Sequence, residues 1–306
     1  MRIYIVGSLN MDLVIRAPRA PKGGETLSGE GFMTNPGGKG ANQAVAVAKL
    51  GGESYMVGCV GREFGKELTD ALKEYGVHAD HVRTESDISS GIAVITVVDG
   101  DNRIILDAGS NGRADGALVD RALADAKAGD YLLVQLEIGL PTVSHALKEA
   151  KKRGMITVLN PAPARELPKE LYADCDWFVP NQIEAEFYTG IYPSDEKSVR
   201  QCAEKLGELG VKNVLITLGM DGSASVSEGA FRRVDVVPAE AIDTTAAGDT
   251  YVGAFVTRLS EGADVETAMR FASTASALTV TRRGAQRAIP IRSEVEAYAK
   301  EKGIFV

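Results

Sequence analysis

Cysteine, histidine and tryptophan are scarce in this 306-residue chain: three, three and one. Cys59, Cys175 and Cys202 are odd in number, far apart and without metal-ligand spacing, which excludes a disulfide scaffold and leaves buried free thiols as the expectation. Only two histidines, His78 and His81, are close in sequence, and no Cys or Glu motif accompanies them. His78, His81 and His145 therefore read as surface or capping residues and not as a zinc site. Positive charge is also short. With 34 Lys+Arg against 42 Asp+Glu and a net charge of -8, the chain does not suit general binding to nucleic acid or anionic membrane. The opening MRIYIVGSLNMD has one basic residue and four consecutive apolar ones before Gly7, too little for a secretory leader or a membrane span, so a cytoplasmic location is expected. Repeats, low-complexity tracts and Pro-rich linkers are lacking, and one domain over 1–306 is expected. Two phosphate fingerprints are missing too. GxGxxG does not follow the first apolar run, which counts against a nicotinamide oxidoreductase. Residues 35–52 do not form a Walker loop, because position 33 is Met and Lys39 is followed by Gly40.

What is present is an alternation of short apolar runs with amphipathic stretches of helical length, the pattern of βαβ units around a parallel sheet. Core strands are expected at 2–6, 55–60, 131–136, 155–159, 176–179 and 213–217. Glu137, Asn160, Asn181, Thr217 and Gly219 follow these runs, at the sheet edge where α/β proteins bind ligands. Each alone also fits a helix cap.

Two stretches break the alternation. Residues 12–17 with 26–33, and 91–98 with 103–109, read as strands, the second pair joined by the turn DGDN at 99–102. IAVITVV is apolar on both faces. A small inserted sheet of this kind is a lid over a cleft, a dimer surface or both, or else a hairpin packed on the main domain.

Three segments carry candidate chemistry. NPGGKGANQAVAVAKLGG is a glycine-rich entry into an Ala-rich helix, letting a polyhydroxylated ligand approach backbone amides while Lys39 and Asn42 supply directed polar groups. In GSLNMDL, Asn10 and Asp12 alternate along an extended segment and point the same way, a pair suited to vicinal hydroxyls; Asp12 equally fits a turn cap. In IDTTAAGDTYVGAF a helix is expected from about Thr250 to Leu259, so AAG lies at its N-terminus, where free N–H groups and the positive dipole end attract anions. Asp249 in the first turn is then placed to accept a proton from an attacking hydroxyl, as phosphoryl transfer requires, or merely to complement the dipole. Asp243 precedes this loop and, with oxygens of Thr245 and of 279–288, offers an oxygen-only set that suits a hard monovalent cation.

GSLNMD, PGGKGANQA, PNQIEAE, TLGMDG and DTTAAGDTYVGAF stand in the order and spacing of the PfkB carbohydrate kinase family, which the chain resembles over nearly its whole length. Within that family the Asn/Asp pair with GGKGAN resembles the members whose acceptor is D-ribose. The resemblance implies a three-layer α/β/α domain with a central, mostly parallel sheet and a small β-sheet lid, usually pairing two copies. It implies ATP-dependent phosphorylation of the ribose 5-hydroxyl, with 2-deoxyribose or another pentose or nucleoside as the alternative acceptor. Asn10, Asp12, Gly38, Lys39, Gly40, Asn42 and Glu137 would hold the sugar, Asp249 would be the general base, and Ala246, Ala247 and Gly248 would form the anion hole. Asn181 and Glu184 would support the magnesium-phosphate end through water. Thr217, Leu218, Gly219, Met220, Asp221 and Gly222 would line the nucleotide, with Ser273 near adenine. Potassium would lie against Asp243 and Thr245, with backbone oxygens of Thr279, Arg282, Gly284 and Ala288. The chain departs from the family pattern twice: Ser273 stands where relatives often carry Asn or His, and Ala288 where they often carry Ser, so a ligand at 288 is its carbonyl.

Overall fold

Alternation within the first strand, β1 (Arg2–Val6), decides the layering: Ile3 and Ile5 enter one core, Tyr4 and Val6 the other. The computed structural model describes residues 1–98 and 101–306. After β1 come β2 (Asn10–Arg16), β3 (Glu30–Gly37), α1 (Lys39–Lys49), β4 (Glu53–Gly61), α2 (Gly65–Glu74), β5 (His78–Glu85), β6 (Gly91–Val98), β7 (Asp101–Asp107) and α3 (Gly116–Ala122). The middle of the chain supplies β8 (Tyr131–Val134), α4 (Leu140–Lys152), β9 (Ile156–Leu159), α5 (Lys169–Ala173), β10 (Trp177–Phe178), α6 (Gln182–Thr189) and α7 (Glu196–Glu208). It ends with β11 (Asn213–Thr217), β12 (Ser223–Ser227), β13 (Ala230–Val234), α8 (Ala247–Ser260), α9 (Val265–Val280) and α10 (Arg292–Lys302).

The large sheet runs β13-β12-β11-β10-β9-β8-β1-β4-β5, parallel from β11 to β5, with the β12–β13 hairpin added antiparallel. On the Ile3 face lie α1, α8 and α9, through residues such as Val45, Phe255 and Phe271. On the Tyr4 face lie α3, α4 and α7, through Leu118, Leu147 and Leu206. This is the expected three-layer arrangement. Phe255 is wholly buried and edge-on to Trp177, so truncation to Ala would cost about 3–5 kcal/mol and loosen the helix that carries Asp249. No helix among the described residues is long and apolar enough to cross a membrane.

The small sheet, β3-β2-β6-β7, pairs β2 with β6 in parallel and its outer strands antiparallel. Its second strand is displaced from the expected 26–33 to Glu30–Gly37, because 18–29, with Pro18, Pro21, Gly23 and Gly24, forms an irregular connection. Residues 99–100 of the expected DGDN turn lie outside the described residues. The strand expected over 131–136 ends at Val134, where the Leu136 amide turns to the Ala162 carbonyl. All three cysteines are buried and free, as expected. His78, exposed as expected, and the partly buried His81 lie on β5, the ring of His78 stacked on Tyr55.

Candidate active site

Strand β2 leaves the main sheet just after β1, so Asn10 and Asp12 sit where the two sheets meet. Gly38, at φ 90°, precedes α1, and a Cβ there would meet the Asn10 amide nitrogen at 2.7 Å; only glycine lets the helix start press against the strand. Glu137, just beyond β8, gathers this corner. Its Oε2 accepts from Ser8 Oγ (2.6 Å), the Lys39 amide (3.2 Å) and Asn10 Nδ2 (3.3 Å). The Asn10 amide is oriented from its other end by Asn111, whose Nδ2 donates to Asn10 Oδ1 at 2.7 Å and to the Leu9 carbonyl. Asp12 is 8 % exposed, and its carboxylate has no hydrogen-bond partner among the described residues. Burial, then the charges of Glu137 and Asp249, push its carboxyl up to about 7. Beside the engaged Asn10 amide and the Glu137 carboxylate, such a carboxyl can accept from a hydroxyl group or, when protonated, donate to one. Asn42 adds an acceptor, since its buried Oδ1 has no partner.

Helix α8 starts three residues before the expected Thr250. Ala246 precedes it in the left-handed region, φ 61°, a conformation that non-glycine residues keep only where the surroundings impose it. The turn leaves the first helical amides facing outward. Of the expected anion hole, the Ala247 N–H is engaged by the Thr244 carbonyl at 3.2 Å, so Gly248 and Asp249 present the open amides. The Asp249 side chain is 8 % exposed and held at both oxygens: Asn42 Nδ2 donates to Oδ2 at 2.9 Å and Gln43 Nε2 to Oδ1 at 3.0 Å.

One cavity of about 210 Å³ collects Asp249, Ala246, Ala247, Gly248, Lys39, Asn160, Asn181, Glu184 and Thr217. Asn181 and Glu184 form a capping box on α6, the Asn181 oxygen accepting from the Glu184 amide and Glu184 Oε2 from the Asn181 amide, both at 2.8 Å. The box is both a helix cap and a way of aiming a buried carboxylate. Burial raises the Glu184 carboxyl, against the pull of the Asn181 N–H and of Lys39, while Asp249 adds to the rise. Around the Lys39 ammonium, burial is outweighed by the negative charges of Asp249, Glu137 and Glu184, which raise its pKa and hold it protonated. A fixed cation at the end of a cavity that opens on helix amides suits a multiply charged anion.

The segment expected to line the nucleotide runs from Thr217, bridged to Asn181, through a short turn to Gly222, which packs on the Val234 carbonyl. Leu218 is buried; Met220 and Asp221 are exposed. Ser273 on α9 reaches the neighbouring Asp235 carbonyl at 3.4 Å, so the turn and Ser273 border the same stretch of chain. Asp243 is tied to the 279–288 loop. Its Oδ2 accepts from the Gly284 amide (2.9 Å), and its Oδ1 from Thr245 Oγ1 (2.6 Å) and the Thr245 amide (3.0 Å). Burial would raise its carboxyl, but these donors, with Arg283, hold it below the usual value. The structure thus brings Asp243, Thr245 and the 279–288 loop together, as the cation expectation requires, with Thr279 buried on the last turns of α9 and Ala288 buried beyond it. Arg282 faces the other way, pairing through both terminal nitrogens with Glu294.

Sequence reasoning missed Ser8, Asn111, Gln43 and Gln135. Gln43 adjoins Asn42 in the glycine-rich motif, and Gln135 sits at a strand end like Asn160; those positions were the signals available.

A parallel sheet whose carboxyl edge joins a proton acceptor, an open helix start and a lysine under a second small sheet defines a small-molecule kinase. The chain belongs to the pfkB family of carbohydrate kinases, whose profile matches residues 2–292. It is similar to a ribokinase of Haemophilus influenzae, 41% identical with 95% of this chain and 96% of that protein covered. A deoxyribokinase of Salmonella typhi is 36% identical, with 97% and 98% covered. A ribokinase of Arabidopsis thaliana, solved with ribose and ATP, superposes with a TM-score of 0.90 at 35% identity, covering 98% of each chain.

Proposed function

We propose that this chain transfers the γ-phosphoryl group of ATP to the 5-hydroxyl of D-ribose. The carrying observation is the 210 Å³ cavity in which Asp249 lies beside the open start of α8 and the Lys39 ammonium. Asn10, Asp12, Asn42 and Glu137 hold the sugar hydroxyls, with Gly38, Lys39 and Gly40 closing the backbone around it. Asp249 takes the 5-hydroxyl proton as that oxygen attacks in line. The amides at the start of α8 and Lys39 receive the charge that grows on the transferring group. Thr217 to Gly222 and Ser273 line the nucleotide.

A family kinase acting on ATP requires a divalent metal, and magnesium is the one we assign; bound with ATP it supplies charge neutralisation at the phosphates. Glu184 fits it: one carboxylate oxygen is fixed by the capping box, and the residue lines the phosphate cavity. Potassium is assigned to Asp243, Thr245 and the carbonyls at Thr279, Arg282, Gly284 and Ala288, where the donor set is oxygen only. It would stiffen the loop that ends in the anion site.

The small sheet serves as lid and as contact between two copies. On its inner face Asp12, Val14, Met33 and Ile95 line a cleft of about 910 Å³ shared with residues 241–245 and 283–287. Its outer face leaves Phe32, Val94 and Ile105 exposed, an apolar patch that a second copy would cover. We assign the protein to the cytoplasm, where buried free thiols persist.

The test is ADP formation with ribose, 2-deoxyribose, fructose and adenosine, each with and without potassium. Ribose is expected to give the highest kcat/KM, and potassium to raise it. The likeness to a deoxyribokinase makes 2-deoxyribose the competing acceptor, and a higher kcat/KM for it would reassign the substrate.

A further inference from the structure

Asp249 is braced by a chain of buried amides that begins on the far side of helix α1. Gln135, just past β8, donates its Nε2 to Gln43 Oε1. Two acceptors, Asp249 Oδ1 (3.0 Å) and Asn160 Oδ1 (3.0 Å), settle which way the Gln43 amide points: its Nε2 faces both of them and its Oε1 is turned to Gln135, whose own Oε1 has no partner among the described residues. Asn160 is in turn fixed by donating to the Val179 carbonyl at 2.8 Å. Gln43 and Gln135 are fully buried and Asn160 nearly so. Four elements, β8, α1, β9 and the end of β10, therefore converge on one carboxylate oxygen.

Burying an amide is costly unless it is paired; both ends of the Gln43 amide are engaged, and a buried glutamine that only filled space would be better replaced by leucine. Asn42, whose Oδ1 is unpartnered, stands in the sugar cluster and contacts Asp249 Oδ2. Gln43 touches no open part of the cavity. We propose that Gln43 is a positioning residue for the general base: backed by Gln135 and Asn160, it fixes the Asp249 carboxylate in the rotation that meets the acceptor hydroxyl. This rests on the reading of Asp249 as the base of a ribose kinase. A base that swings by an ångström loses about 100-fold in rate, while the sugar contacts made by Asn10, Asp12 and Glu137 are untouched.

The experiment compares Gln43→Leu and Gln43→Glu with the wild type, measuring kcat with ATP and ribose, and ribose Kd by calorimetry without nucleotide. Gln43→Leu is expected to lose about 10- to 100-fold in kcat at every pH, with ribose Kd within about 3-fold of wild type. Gln43→Glu separates positioning from mere structure. Its neutral carboxyl can accept from Gln135 and donate an O–H to Asp249 Oδ1 as the amide did, whereas its carboxylate repels Asp249. Its kcat relative to wild type should thus fall steadily from pH 6 to pH 9. Should Gln43→Leu not fold, that pH-dependent ratio carries the test by itself. Wild-type kcat in Gln43→Leu, an equal loss of kcat and ribose affinity, or a flat ratio for Gln43→Glu would each overturn the proposal while leaving the kinase reading intact. Wild-type protein that forms no ADP with any of the four acceptors would overturn both.

Discussion

Asp249 and Asp12 are equally buried, at 8 % exposure each, yet their surroundings are opposite. Asp249 sits on a rigid helix and receives an amide hydrogen bond at each oxygen from the protein itself. Asp12 sits on a strand of the small sheet, has no donor among the described residues, and is pushed up to about 7 by burial and by two neighbouring carboxylates. The first carboxylate is organised before any ligand arrives. On the proposed reading the second would be organised by the ligand, whose hydroxyls would supply the missing donors. On that reading, the group that would take part in bond making is held by the scaffold, and the group that would recognise the sugar is left unsatisfied until recognition occurs.

The largest expected break in this comparison is Asp249→Asn. Turnover should fall by about 100- to 10,000-fold with ribose Kd nearly unchanged, measured by coupled ADP release and calorimetry. Wild-type turnover in that variant would remove Asp249 from the role of base. Asp12→Asn should do the reverse, weakening ribose by about 10- to 100-fold with a much smaller change in kcat at saturation, because it alters hydroxyl contacts that ground state and transition state share.

A third expectation concerns pH. The folded Asp12 carboxyl titrates near 7, above its usual 3.8, so its contribution to stability is complete below 3.8 and is lost as pH rises through about 7. Relative to wild type, Asp12→Asn should therefore be neutral near pH 3.5 and more stable by on the order of 2 kcal/mol at pH 8.5, read from urea midpoints without ligand. Ribose binding near pH 7 should release a fraction of a proton from the wild type and none from the variant, visible by calorimetry in buffers of different ionisation enthalpy. The smallest effect is expected at Gly37, where an added Cβ would lie 2.5 Å from Asp12 Oδ2. Gly37→Ala should raise the KM for ribose about 3- to 10-fold by turning Asp12 aside, with kcat held.

Much of the fold around this contrast was legible in the chain. The six core strands stood out as apolar runs, and the segment around Asp249 announced a helix start by its small residues. Less legible were β5, whose HADHVRTE mixes polar and apolar residues without strict alternation, and the β12–β13 hairpin, in which SASVS carries too few large apolar groups to read as a strand. The displaced β3 escaped because its register is set by pairing with β2 and not by its own pattern. That the Ala247 amide is engaged could not be read from the chain, since it depends on the local turn to Thr244.

The sequence by itself determined the fold class and the family, because hydrophobic period and short motifs are local properties that survive without coordinates. Only the tertiary structure decided which carboxylate is braced and which is left wanting. Asn111 reaches Asn10 from 101 positions away, and Gln43 reaches Asp249 from 206. Hydrogen-bond satisfaction is a property of groups brought together by folding, so it cannot be counted along a chain whose partners lie on different layers.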